Sequence, residues 1–167
     1  FSCPHGLPER KMGAAMAQNC EIMEEVCRWV MSAAKIPVWA KLTPATGNIV
    51  VEAGAVFRGG GDAVSSSNTF PSIPLIDPET LEFEMNVDGC VASGGLGGPA
   101  ILPQALAMMS QMTRAFPAGS FSGIGGISDF GHALNYFMLG CGTVQVCTAA
   151  MLDHAVSESF YRGIANS

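Results

Sequence analysis

The sequence predicts an α/β fold built on a parallel sheet, and three observations carry that prediction. Short apolar runs alternate with amphipathic helical segments along the chain. No tight hairpin signal is read between these strand–helix units, so consecutive strands are expected to run parallel. The chain is 49% apolar and only 13% charged, which suits strands covered by helices or a piece of a larger body.

The elements follow in order. After a loop around Cys3, the residues Ile22, Met23, Val26, Cys27, Val30 and Met31 recur at helical spacing, with Glu21, Glu24, Glu25 and Arg28 opposite. Asn19 is the expected cap. Ile36 to Leu42 reads as a buried strand that ends in Lys41 and breaks at Thr43-Pro44. A helix is expected from about Ile49 to Arg58, stopped by Gly59-Gly60-Gly61. Ala63 to Ser67 is a small-residue strand leading to Asn68-Thr69.

The stretch from about 70 to 99 contains Pro71, Pro74 and Pro78 and ends in Gly94-Gly95-Leu96-Gly97-Gly98. It reads as a long irregular loop, and loops of that length in a domain are commonly functional. Helix returns from Leu102 to Phe116. Ser120-Phe121-Ser122 is a strand into Gly123-Ile124-Gly125-Gly126-Ile127, and Ser128-Asp129 opens a helix ending at Gly140-Cys141-Gly142. Thr143 to Cys147 is the last strand, followed by a helix from about Asp153 to Ala165. This makes four strand–helix units and the tail of a fifth.

Composition excludes several classes. The net charge is −6, and beyond Arg58 the basic residues are Arg114 and Arg162, so no basic stripe for nucleic acid exists. The stretch from Phe130 to Leu152 lacks carboxylates, Lys and Arg, but Asn135, Gly140, Gly142 and Gln145 interrupt it, and it reads as buried helix, turn and strand rather than a membrane span. There is no signal-peptide pattern at the start. The six cysteines form no C-x-x-C, so neither a zinc ribbon nor an iron–sulfur site is encoded, and reduced thiols in a cytoplasmic protein are expected.

In repeated βα units, ligands gather where the strands end. Those ends are Ser2-Cys3-Pro4-His5, Lys41-Leu42-Thr43-Pro44, Asn68-Thr69, Gly125-Gly126-Ile127 and Gln145-Val146-Cys147-Thr148. All are polar or glycine-rich. Gly125-Gly126 with Thr148 fits a phosphate site, though a sharp βα turn also explains a Gly-Gly pair. Lys41 at the end of a buried strand either reaches solvent or a carboxylate, or faces an anionic cofactor or transition state. Asn68 offers a donor and an acceptor for an amide-like edge, with a strand-end Asx turn as the alternative. An ordinary thiol is mostly protonated at neutral pH, so Cys3 reads as a general acid rather than a nucleophile. Cys20, Cys27, Cys141 and Cys147 read as small hydrophobes, and Cys90 has no assigned role. His132 and His154 lie in predicted helices without partners.

Taken together, Ser2-Cys3-Pro4-His5-Gly6, Glu9-Arg10, Met12-Gly13, Ala40-Lys41-Leu42-Thr43-Pro44, Asn68-Thr69, Gly125-Gly126-Ile127 and Gln145-Val146-Cys147 resemble the flavin barrel of the dihydropyrimidine dehydrogenase family. The related dihydroorotate dehydrogenases share the Ser-Cys-Pro and Gly-Gly-Ile elements. The resemblance implies the second half of a (β/α)8 TIM barrel that binds FMN, from the end of strand four to helix eight. It implies hydride transfer from FMN to C6 of uracil or thymine, with Cys3 as the catalytic proton donor at C5. Asn68 and Thr69 would bind substrate, and Ser2, Lys41, Gly98, Ile124, Gly125, Gly126, Cys147 and Thr148 would bind FMN.

The same resemblance implies electrons from NADPH through FAD and iron–sulfur clusters on other domains or subunits, a homo-oligomer, and no nucleic-acid or membrane partner. A dihydroorotate dehydrogenase-like flavoenzyme is the alternative activity; an inactive barrel fragment is the alternative for the isolated chain. The sequence departs from the family pattern at Ile124, where Thr is usual, at Gly97 for Ser and at Leu102 for a basic residue. The substrate-binding Asn usual just before Phe1 and the first half-barrel are outside this sequence.

Overall fold

The computed structural model describes residues 1–3, 8–10 and 12–165. His5 and Gly6 of the opening motif, with Pro4, lie outside the described residues. A short 3-10 turn (Pro8–Arg10) and helix α1 (Ala14–Ala17) lead into α2 (Cys20–Ala33). Asn19 caps α2 as expected, its Oδ1 accepting from Ile22 N at 3.1 Å. The acidic face of α2 pairs with neighbours: Glu24 binds Arg28 one turn on, and Arg58 Nε from α3 (Ile49–Arg58) at 2.9 Å. Between these helices runs β1 (Trp39–Lys41).

The strand is shorter than the apolar run suggested. Pro37 has no N–H, and Val38 N turns to the Asp62 carboxylate at 2.8 Å. After α3, Gly59 is a close-packing glycine, because a Cβ there would come within 2.4 Å of Cys27 Cβ. Strand β2 (Ala63–Ser66) follows, buried along its whole length.

The segment from 70 to 99 is not structureless, which corrects the expectation of an irregular loop. Strands β3 (Phe70–Ser72) and β4 (Gly94–Leu96) pair antiparallel in a sheet of their own. Between them Val87 and Cys90 bridge around Asp88 (φ 51°) and Gly89 (φ 74°), a two-residue turn with both centres left-handed. That Asp-Gly dipeptide is a strong hairpin signal, and it was legible in the sequence.

Helix α4 (Leu102–Ala115), strand β5 (Ser120–Ile124), helix α5 (Phe130–Met138) and strand β6 (Thr143–Gln145) complete the repeat. The final helical region is two helices, α6 (Thr148–Leu152) and α7 (Val156–Ala165), split at Asp153, whose Oδ1 accepts from Ala155 N at 2.9 Å. His132 is not without partners: its Nδ1 lies 2.9 Å from Ser128 Oγ and 3.2 Å from Asp129, at the N-terminus of α5.

The main sheet is parallel throughout, in the order β1-β2-β5-β6. Successive side chains alternate between its faces. Ala40, Leu42, Val64 and Phe121 point under the helices and join Met23, Ala53, Val56, Met109, Met112 and Tyr136 in the core. The opposite face carries Lys41, Ser65, Ser122, Thr143 and Gln145, which is the inner face of a partial barrel. None of the six cysteines is in a disulfide. Among the described residues no helix is long and apolar enough to cross a membrane.

Candidate active site

The C-terminal ends of the four parallel strands open on one cavity of ≈ 350 Å³. Its wall brings together Lys41 from β1, Asn68 and Thr69 after β2, Ile124 at the end of β5 with Gly125 and Gly126 after it, Cys147 after β6 and Thr148 at the start of α6. Gly98, at the end of the β3–β4 excursion, joins them. These residues are spread over 107 positions of sequence, from 41 to 148; the parallel sheet places them on one rim.

Ser2 and Cys3 do not line the cavity, which qualifies their expected roles as direct contacts. They stand beside it. Asn68 Nδ2 donates to the Ser2 carbonyl, and Asn68 Oδ1 accepts from Thr69 N at 3.0 Å. Both ends of this amide therefore hold the chain itself, and the first of them ties the Cys3 segment to the rim. Cys3 is exposed.

The inner face below the rim is a hydrogen-bonded polar layer. Thr143 Oγ1 donates to Ser122 Oγ at 2.8 Å, and Gln145 Nε2 donates to Ser65 Oγ at 2.8 Å and to Ser122 Oγ at 3.0 Å. Barrel interiors are more often filled by Val, Ile and Leu. Sequence reasoning did not single out this layer; its signal was the recurrence of small hydroxyl residues at alternate positions of two buried strands. Ser67 also lines the cavity, and its buried Oγ has no partner among the described residues. A polar ligand would satisfy it.

The Gly125-Gly126 turn is held from behind. Both residues have left-handed backbones, at φ 127° and 76°. A Cβ on Gly126 would lie 2.6 Å from Leu102 Cβ, and one on Gly125 would lie 2.8 Å from Ala105 Cβ. The pair is needed first for the turn and its close packing on α4, and the backbone it exposes faces the cavity. Cys147 is exposed at this wall rather than a buried hydrophobe, because β6 ends at Gln145 and Cys147 becomes the cap of α6. Cys27 and Cys141 are buried, as expected, and burial pushes their thiols up, Cys141 to about 11.

The comparisons with known proteins agree with this geometry. The dihydroorotate dehydrogenase family model matches residues 1–166. The chain belongs to the dihydroorotate dehydrogenase family. Among the relatives of this family member, the chloroplastic NADP(+) dihydropyrimidine dehydrogenase of Arabidopsis thaliana is 40% identical, over 91% of this chain and 37% of its own length. The PreA subunit of the NAD-dependent dihydropyrimidine dehydrogenase of Escherichia coli K12 is 36% identical, over 99% of this chain and 41% of its own.

The catalytic subunit of a dihydroorotate dehydrogenase B (NAD(+)) from Petrotoga mobilis is 32% identical, over 98% of this chain and 52% of its own. A dihydroorotate dehydrogenase structure from Eimeria tenella, solved with ferulenol, superposes with a TM-score of 0.74 at 18% identity. It covers 99% of this chain and 47% of that one, and it shows the shared barrel fold. The family member described here thus spans between a third and about half the length of these relatives.

Proposed function

We propose that this chain is the second half of an FMN-binding barrel that reduces the 5,6 double bond of uracil or thymine. The observation that carries the reading is the hydrogen bond from Asn68 to the Ser2 carbonyl, which sets the Cys3 segment beside a cavity walled by Lys41, Thr69 and the Gly125-Gly126 turn. The higher identity to two dihydropyrimidine dehydrogenases favours a pyrimidine base as substrate.

The residues present fit FMN. Gly98, Gly125 and Gly126 offer close backbone at the cavity wall, Thr148 adds a hydroxyl, and the orphaned Ser67 hydroxyl and the Lys41 ammonium supply polar contacts. The short helix α6 directly after β6 is the element that barrels use around phosphates. Ile124 and Cys147 complete the flavin wall in this reading, and Ser2, held by Asn68 beside the cavity, approaches the flavin from its edge. FMN, when bound, supplies the hydride that goes to C6 of the ring.

The chain's own residues do the rest. Cys3 holds the proton that C5 receives, so hydride and proton together saturate the double bond. Asn68 and Thr69 bind the polar edge of the base. Lys41 balances negative charge at the flavin's pyrimidine end. Electrons come from NADPH through FAD and iron–sulfur centres on a partner domain or subunit, in keeping with relatives that are named as subunits.

The test is reconstitution of the whole barrel with FMN, followed by anaerobic mixing with dihydrouracil or dihydroorotate. Bleaching of the flavin by dihydrouracil, lost on Cys3→Ala by about 10²- to 10⁴-fold in rate, supports the proposal. Bleaching by dihydroorotate alone would assign the chain to the second activity, which its family match also permits.

A further inference from the structure

The cavity wall holds a donor, Lys41, and an acceptor, Gln145, that the reading above does not pair. Lys41 and Ser65 are register partners on neighbouring parallel strands, about 4.8 Å apart and on the same face. Ser65 Oγ accepts from Gln145 Nε2 at 2.8 Å, so the Gln145 amide reaches across β5 to the strand adjoining Lys41. Lys41 and Gln145 both line the cavity.

A primary amide has two N–H donors and one carbonyl acceptor. The Nε2 of Gln145 serves two hydroxyls, Ser65 at 2.8 Å and Ser122 at 3.0 Å, and Ser122 is itself bound by Thr143 at 2.8 Å. Both amide hydrogens are committed to the polar layer. Among the described residues Oε1 accepts from no group, and it is the hydrogen-bonding position that Gln145 has left to offer a ligand.

We infer that Lys41 and Gln145 form a donor–acceptor pair that grips the –CO–NH– edge of a cyclic imide or ureide. The ammonium donates to the ring carbonyl, and Oε1 accepts from the adjacent ring N–H. The selectivity follows from the orientation in the structure, with Nε2 on the serine hydroxyls and Oε1 away from them. With the amide turned the other way, Gln145 would donate to a ring carbonyl instead of accepting from a ring N–H. This inference rests on the flavin–pyrimidine reading and deepens it. The matching edge occurs both on the flavin's pyrimidine-type ring and on a free pyrimidine base.

The experiment measures binding to the whole barrel by titration calorimetry, FMN-free in the first arm. One arm compares FMN with N3-methyl-FMN. The other compares uracil with 1- and 3-methyluracil on FMN-loaded protein. The wild type is expected to disfavour the methylated partner by about 10-fold in the arm that holds the true ligand. Gln145→Met brings that ratio near one. Gln145→Glu preserves it, since the serine hydroxyls turn to donate and an oxygen acceptor is kept.

A purely structural role for Gln145 would weaken all ligands together and leave every ratio unchanged; that outcome overturns the pair. Loss of discrimination in the flavin arm identifies the cofactor as the ligand, and loss in the uracil arm identifies the base. A wild-type barrel that binds neither FMN nor uracil overturns the flavin reading itself, and the pair with it.

Discussion

The hydroxyl of Tyr136 donates to the carbonyl of Gly125 at 2.8 Å, joining a core residue of α5 to the turn that faces the cavity. The ring sits against Gly123, where a Cβ would come within 2.2 Å of it. Burial pushes the phenol well above its ordinary range, so it stays a neutral donor. The Gly-Gly turn is thus held by both α4 and Tyr136 of α5.

Tyr136→Phe removes one hydrogen bond and leaves a buried carbonyl without its partner. A stability loss of about 1–3 kcal/mol is expected by denaturant titration. Affinity for FMN should fall as well, since the turn loses its rear support. Unchanged stability would show that the carbonyl finds another donor.

Gly126→Ala places a Cβ 2.6 Å from Leu102 and on a left-handed backbone. The expected cost is about 2 kcal/mol or more, from overpacking and strain together. Gly142→Ala is the control. That position has open space around it, and the change should stay within about 0.5 kcal/mol. Equal effects at the two sites would remove the packing explanation.

Glu52 is buried in α3 with its Oε2 unpartnered among the described residues, and burial pushes its carboxyl from 4.5 up to about 7, against a smaller downward effect of the Thr46 hydrogen bond. The folded state therefore holds a proton that the unfolded state has released. The contribution of Glu52 to stability is greatest below pH 4.5, declines as pH rises through the interval to 7, and is level above it. Glu52→Gln lacks this slope. Melting curves should show the variant gaining on the wild type from pH 5 to pH 8, by up to about 3 kcal/mol. Parallel pH profiles would mean that the carboxylate finds a cation or water.

Strands β1 and β6 are each paired on one side only among the described residues. Near the β1 edge Trp39 is 49% exposed and Ile36 76%. Unpaired strand edges with apolar neighbours associate. The 167-residue chain expressed by itself should sediment as a dimer or larger species and bind FMN weakly. A monodisperse monomer that retains yellow flavin through gel filtration would contradict this.

The sequence by itself determined the elements whose signals are local. Asn19 and Asp129 cap helices because a short polar side chain reaches N–H groups within one turn. The helix expected from about Ile49 is α3, Ile49–Arg58, bounded by Asn48 and Gly59. The rim was also legible, because parallel βα order alone sends Lys41, Asn68, Gly125 and Thr148 to the same end. Asp88-Gly89 is a local hairpin signal as well, one that the expectation of an irregular loop from about 70 to 99 overlooked.

Only the tertiary structure decided what depends on contacts between distant strands. Asn68 turned out to hold Ser2, 66 positions away, and Gln145 to hold Ser65, 80 positions away. No spacing rule connects such pairs, since their meeting depends on strand order and register rather than on chain distance. Cys147 likewise changed from buried strand residue to exposed cap, because β6 ends two residues before it. The rim is a property of the repeat; the orientation of each side chain on it belongs to the packed sheet.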